Sequence, residues 1–257
     1  MKKVLIVFSE SSKKNVLIDS AIFFKEKLGY EIQPLYIKDV RRDEIIPATM
    51  DGMIVNLSNN SFSEERDALE AEELDRLKEK LRINGIKNEL AIEFGFPWEI
   101  IKEYLKLADI LMFEKGEILS EAAIAVLKNQ FKPIILIGPK PITKLDNIAI
   151  STDDGVKINK STNNFMNLFP EIKDFTMMTV LYELEENKLL SLMKSKNKEV
   201  IVKSFNEENA KEKFLNEVEK FDLLIMGNLS RSYFFEKITG KKGLNILEKS
   251  KVSIFIG

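Results

Sequence analysis

The chain has 257 residues and a nearly balanced charge, 39 Lys and Arg against 41 Asp and Glu, with no histidine and no cysteine. That inventory excludes thiol nucleophiles, disulfides, imidazole bases and the usual zinc ligands, so any chemistry falls to carboxylates, lysines, hydroxyls and backbone amides. With 21 basic and 24 acidic residues before position 141, and 18 and 17 after it, neither half has the concentrated basic surface that binding a nucleic-acid backbone requires.

The chain opens on Lys3–Phe8, a continuous apolar run that gives way at once to Ser9-Glu10-Ser11-Ser12, the pattern of a buried parallel strand entering a loop. Met1-Lys2-Lys3 leads straight into that strand with no signal-peptide pattern, and stretches such as residues 133–137 fall far short of the roughly 20 apolar residues that span a bilayer. A cytoplasmic protein with no membrane partner is expected. Residues 16–28 place Val16, Leu17, Ala21, Phe23, Phe24 and Leu28 on or near one helical stripe, with Gly29 as a stop, and residues 32–37 complete a strand–helix–strand unit. In 59–84, Ser61 or Ser63 could cap a helix whose later part carries Leu69, Leu74, Leu77 and Leu81 on a charged, solvated body. Residues 89–92 read as a short strand, 97–107 as a helix opened by Pro97, 110–113 as a strand, 120–128 as a helix and 133–137 as a closing strand.

The pattern then restarts. Residues 147–152 form a strand ending at Asp153-Asp154-Gly155, a helical stretch runs through Phe169, and strands come at 176–182 and 199–203 before a helix at 207–220. The repeat is clearest at the ends of the two copies: Leu107-Ala108-Asp109-Ile110-Leu111-Met112 corresponds to Lys220-Phe221-Asp222-Leu223-Leu224-Ile225, and residues 132–138 correspond to 251–257. The expected fold is therefore α/β, two tandem open parallel-sheet domains over 1–140 and 141–257, joined near 138–144. Such units leave apolar edge-strand or helix surface that a sister copy can cover, so the two should pack as a pseudo-twofold pair. A further homodimer and an unidentified protein partner are compatible with this organisation.

The copies differ where a ligand site would differ. Parallel sheets of this kind bind ligands at the carboxyl ends of their central strands, and only the second copy has extra residues directly after its fourth strand. The segment that holds these six extra residues, 226–243, includes Gly227, Gly240, Lys241, Lys242 and Gly243, which could bring backbone amides, a helix start near 240–244 and positive charge to an anion. A bare turn is the competing interpretation. Asp153, at the end of the first strand of this copy, could accept a hydrogen bond from a base or ribose, or act as a solvated cap. The first copy has Ser9 in place of Asp153 and a short acid-containing loop, Glu114-Lys115-Gly116-Glu117-Ile118, whose carboxylates would repel phosphate, so it reads as structural. Trp98 lacks a surrounding basic stripe and reads as a packing residue.

These features together resemble a tandem member of the universal stress protein family, most strongly over 221–227, through Gly240 and on to Gly257. The resemblance implies adenine-nucleotide-binding-like sandwiches with strand order 3-2-1-4-5. It also implies ATP held by an aspartate after the first strand, a valine on the second, and a G-x2-G-x9-G loop followed by a hydroxyl residue. By position Asp153 matches the aspartate, Val180 the valine, Met226 and Gly227 the loop's opening and Gly240 its last glycine, while Ser230 replaces the middle glycine and Lys241 the hydroxyl residue. The same resemblance implies a stress-response or regulatory protein with ATP, and Mg²⁺ with it, in the second domain, a degenerate first domain without nucleotide, and no efficient turnover. A nucleotide-free interaction module and a slow nucleotide hydrolase are the alternatives.

Overall fold

The computed structural model describes residues 1–10, 12–40, 60–116, 119–180, 187–206, 209–228 and 249–257, with the backbone alone over 60–67. The first half runs β1 (Lys3–Phe8), α1 (Lys14–Leu28), β2 (Glu31–Asp39), α2 (Asn60–Ile83), β3 (Ala91–Gly95), α3 (Pro97–Leu105), β4 (Ile110–Glu114), α4 (Glu121–Lys128) and β5 (Ile134–Ile137). The second runs β6 (Ile148–Ser151), α5 (Val156–Leu168), β7 (Asp174–Val180), α6 (Lys188–Ser195), β8 (Glu199–Phe205), α7 (Ala210–Val218), β9 (Leu223–Met226) and β10 (Ser253–Ile256).

The ten strands of the described residues form one sheet in the order β3-β2-β1-β4-β5-β10-β9-β6-β7-β8, which is 3-2-1-4-5 followed by its mirror. Every pairing is parallel except β5 with β10, where Leu136, Ile135 and Ile134 oppose Ile254, Phe255 and Ile256 antiparallel. The apolar runs read as strands are buried because helices cover both faces of the sheet. Alternation along β1 sends Val4, Ile6 and Phe8 to the side of α1, α2, α5 and α6, and Leu5 and Val7 to the side of α3, α4 and α7. Each of these two cores draws on both halves, so the halves share their interior. Gly29 stops α1 as expected, in the left-handed region at φ 69°.

The repeat extends to individual hydrogen bonds. The Asp109 carboxylate accepts from the Lys3 amide at 2.8 Å, and the Asp222 carboxylate accepts from the Asn147 amide at 2.9 Å, so the same residue type anchors the start of the central strand in each half. The seam is built from backbone and aromatic contacts. Gly138 donates to Ser253 Oγ at 3.1 Å, and Gln130 donates to the Ile256 carbonyl at 2.8 Å. Tyr30 donates to the Leu168 carbonyl at 3.0 Å, and burial, with Glu171 nearby, holds that hydroxyl well above the usual tyrosine range and thus in its donating form.

Three local departures have physical reasons. The third strand lies at Ala91–Gly95 rather than 89–92, because its register is set by pairing with Leu35 to Asp39 of β2 and not by its own short apolar pattern. The helix Lys188–Ser195 has no counterpart among the expected elements; its Leu189 and Met193 are buried, the Asn187 side chain caps it on the Leu190 amide, and it supplies the crossover between β7 and β8. The helix expected over 207–220 is the shorter Ala210–Val218. For the helix over Asn60–Ile83, capping by Ser61 or Ser63 concerns side chains outside the described residues. Among the described residues, no helix is long and apolar enough to cross a membrane.

Candidate functional site

In each half the central strand is flanked by the second and fourth strands, and the crevice at their carboxyl ends is where connections depart in opposite directions. In the second half this crevice lies beyond β6, β7 and β9. Asp153 is exposed there, with its Oδ1 accepting the Gly155 amide at 2.9 Å in a local turn that delivers Gly155 to the N-cap of α5. No side chain caps the first turn of α5, and that turn carries no acid. Gly227 abuts that end. A Cβ built on Gly227 would lie 3.1 Å from the Ile158 amide nitrogen and 3.2 Å from Lys157 Cβ, an approach that only a glycine makes without displacement.

Asp154, read as a turn residue, also joins two elements. It adopts φ 55°, and its carboxylate accepts the Lys188 and Leu189 amides at 2.9 Å each, thereby closing the N-terminus of α6. Asp154→Ala is expected to cost about 1–3 kcal/mol, from the lost capping bonds and an unfavourable positive φ. Asp154→Gly, which relieves the backbone and loses the same bonds, separates the two causes. Urea denaturation measures both, and a glycine variant more stable than the parent would show that the capping bonds contribute less than the positive φ costs.

The first half solves the same local problem differently. By the Asp109 and Asp222 correspondence, Glu114 occupies the position of Gly227, and its Oε2 accepts the Lys13 amide at the N-cap of α1. Ser9, at the position of Asp153, shares a 2.9 Å hydroxyl contact with Ser12. At the end of the fourth strand the first half carries a carboxylate and the second half a glycine, while in both halves a carboxylate, Glu114 or Asp153, takes the amide of the N-cap residue. A cavity of about 410 Å³ opens beside it at the ends of β1, β2 and β4.

A comparison with solved structures decides the fold. A universal stress protein from Archaeoglobus fulgidus DSM 4304 superposes with a TM-score of 0.67 at 16% identity, over 98% of this chain and 97% of that one. This is a universal stress protein-like fold. A functionally unknown protein from Pseudomonas aeruginosa PAO1 matches with a TM-score of 0.57 at 9% identity, over 99% of this chain and 92% of that one. No family model matches the chain, and no curated protein does.

Within this universal stress protein-like fold, Asp153 and Gly227 both adjoin the start of α5. Val180 ends β7 opposite Phe205 and packs partly buried against one core, and Met226 ends β9 with its side chain inside the same core, so any ligand contact from Met226 would come from its backbone. Ser230, Gly240 and Lys241 lie outside the described residues, as does the helix start expected at 240–244. Sequence reasoning passes over Asn228. Its Oδ1 is buried beside Gly227 with no hydrogen-bond partner among the described residues, an unsatisfied acceptor that a donor group of a ligand could meet. Among the described residues no three of His, Cys, Asp and Glu are grouped so as to hold a metal ion. Trp98 packs edge-on against Phe131 at 6.4 Å.

Proposed function

We propose that this chain is a stress-response or regulatory protein made of two tandem domains, 1–140 and 141–257, that binds one adenine nucleotide, ATP with Mg²⁺, in the second domain. The observation that carries this reading is the exchange of Glu114 for Gly227 at equivalent strand ends: where the first copy places a carboxylate side chain, the second brings glycine backbone directly against the start of α5. Asp153 would contact the base or ribose, and Asn228 fits the polar edge of such a ligand. The backbone at Gly227 and the loop containing Ser230, Gly240 and Lys241 would face the phosphates. Bound ATP would serve as a state signal rather than as a substrate for rapid turnover.

Mass spectrometry of nucleotide released from gently purified protein, followed by calorimetric titration of the emptied protein, tests this reading. Asp153→Ala should weaken ATP and adenosine alike, by about 5- to 150-fold for the loss of one polar contact worth about 1–3 kcal/mol, while Ser9→Ala should leave both unchanged. Equal losses from the two variants would move the site elsewhere. Multiple turnovers on the order of 1 s⁻¹ would make the protein an enzyme instead. A second reading, a nucleotide-free interaction module that also forms homodimers, draws on Ile92 and Phe94, apolar and exposed on the outermost strand β3, with exposed Phe96 next to them. It predicts self-association by sedimentation with no nucleotide recovered.

A further inference from the structure

The first-half cavity, about 410 Å³ at the carboxyl ends of three parallel strands, falls within the size range usual for small-molecule sites. Its inner wall is apolar, formed by Val7, Phe8, Ile37 and Phe113 from the strands, Ile101 from α3 and Val126 from α4. The hollow persists because α4 opens on small side chains: Ala122 and Ala123 line it where larger residues would fill it. Protein interiors otherwise pack to crystal-like density, so an apolar hollow of this size forfeits dispersion contacts that an occupant would restore.

The charged side chains of the lining all have partners within the chain. Glu10, Asp39, Lys115 and Glu121 are each engaged, and Glu114 accepts the Lys13 amide. Ser120 Oγ accepts the Ala123 amide at 3.1 Å. The start of α3, also at the cavity, has no side-chain cap, but its first residue, Pro97, carries no N–H, and the Glu99 and Ile100 amides bond the Phe96 carbonyl at 3.1 and 3.2 Å. Among the described residues, no buried side-chain polar atom of the lining lacks a hydrogen-bond partner. A charged ligand would lose its hydration with no group set aside to replace it, whereas an apolar one gains from buried area alone.

We infer that the first half holds a second ligand site, which takes a compact, uncharged apolar molecule recognised by shape and buried area rather than by ionic contacts. The strand ends and α3 form its walls, and the alanines of α4 set its room.

The experiment titrates N-phenyl-1-naphthylamine, an uncharged dye that brightens in apolar surroundings, into the full-length protein. Saturable fluorescence is expected, and 3-methylindole should displace the dye at least about tenfold more effectively than tryptamine or indole-3-acetate, which carry a similar ring with a charge of either sign. Ala122→Phe, which fills the cavity from a half-buried position on α4, should weaken the dye by about tenfold or more while circular dichroism stays unchanged. Ala122→Leu, a smaller intrusion, should weaken it less and keeps the test open if the phenylalanine variant does not fold. Phe94→Ser, which removes an exposed apolar side chain from the edge strand β3, should leave dye binding unchanged. Loss of the dye in Phe94→Ser would place it on the edge strand and overturn the assignment. So would fluorescence that does not saturate, displacement by the charged rings as effective as by 3-methylindole, or parental binding in folded Ala122 variants. Displacement by ATP would overturn it too, by making the cavity a nucleotide site. Nucleotide titration of the second half reads a different site, so either proposal can fail without the other.

Discussion

Replacing Phe169 by alanine is expected to destabilise the whole chain by about 3–5 kcal/mol, the usual cost of deleting a fully buried aromatic ring whose surroundings cannot collapse. Phe169 comes directly after α5 in the second half, yet its ring meets Phe24 at 6.0 Å and Tyr30 at 6.1 Å from the first half, as well as Phe165 at 4.7 Å and Phe255 at 6.5 Å from its own. These five residues are buried at the junction, and Tyr30 reinforces it through its bond to the carbonyl of Leu168. Because both cores include residues of both halves, the loss should propagate across the seam. Urea denaturation should show one cooperative transition in the parent, shifted as a unit in the variant. Two transitions, of which only one moves, would mean that the halves are energetically independent despite their shared sheet.

Gly227→Val is expected to lower ATP affinity by about 10- to 100-fold or more, since one or two backbone contacts worth about 1–3 kcal/mol each would be blocked. The Cβ alone would come within 3.1 Å of the Ile158 amide nitrogen, and valine's methyls would crowd the start of α5 further. The neighbouring atoms are mostly backbone, which cannot rotate aside as a flexible side chain can. Circular dichroism and thermal melting establish whether the variant is folded, and calorimetry then reads ATP. A folded Gly227→Val protein with parental ATP affinity would remove the phosphate site from this strand end.

Much of this organisation is legible along the chain. The runs at β1, β4, β5, β6, β9 and β10 are apolar without interruption because both sheet faces are covered, and the Asp109 and Asp222 pair marks the register of the two copies before any coordinates are known. The strand order 3-2-1-4-5 enters through a family resemblance, and the superposition with the Archaeoglobus fulgidus protein agrees with it at the level of fold. The helix Lys188–Ser195 escapes a reading of periodicity because Leu189, Leu190, Leu192 and Met193 crowd into a short run with no clean stripe. A topological signal is nevertheless present: two parallel neighbours, β7 and β8, require a crossover between them.

The α/β class and the recurrence of its pattern can be read along the chain, because the apolar runs, the Gly29 stop, the Pro97 helix start and the matching Asp109 and Asp222 are local facts. Only the tertiary structure decided that the closing strands meet edge to edge and antiparallel, since residues 132–138 and 251–257 could equally have paired with other edges or other copies. It alone placed the Glu114 carboxylate on the Lys13 amide and Asp154 on the start of α6, contacts between residues far apart in the chain. The physical reason is range. Burial and backbone preference act on neighbours and leave a periodic trace, whereas a carboxylate's choice among distant amides depends on where the packed sheet has already delivered them.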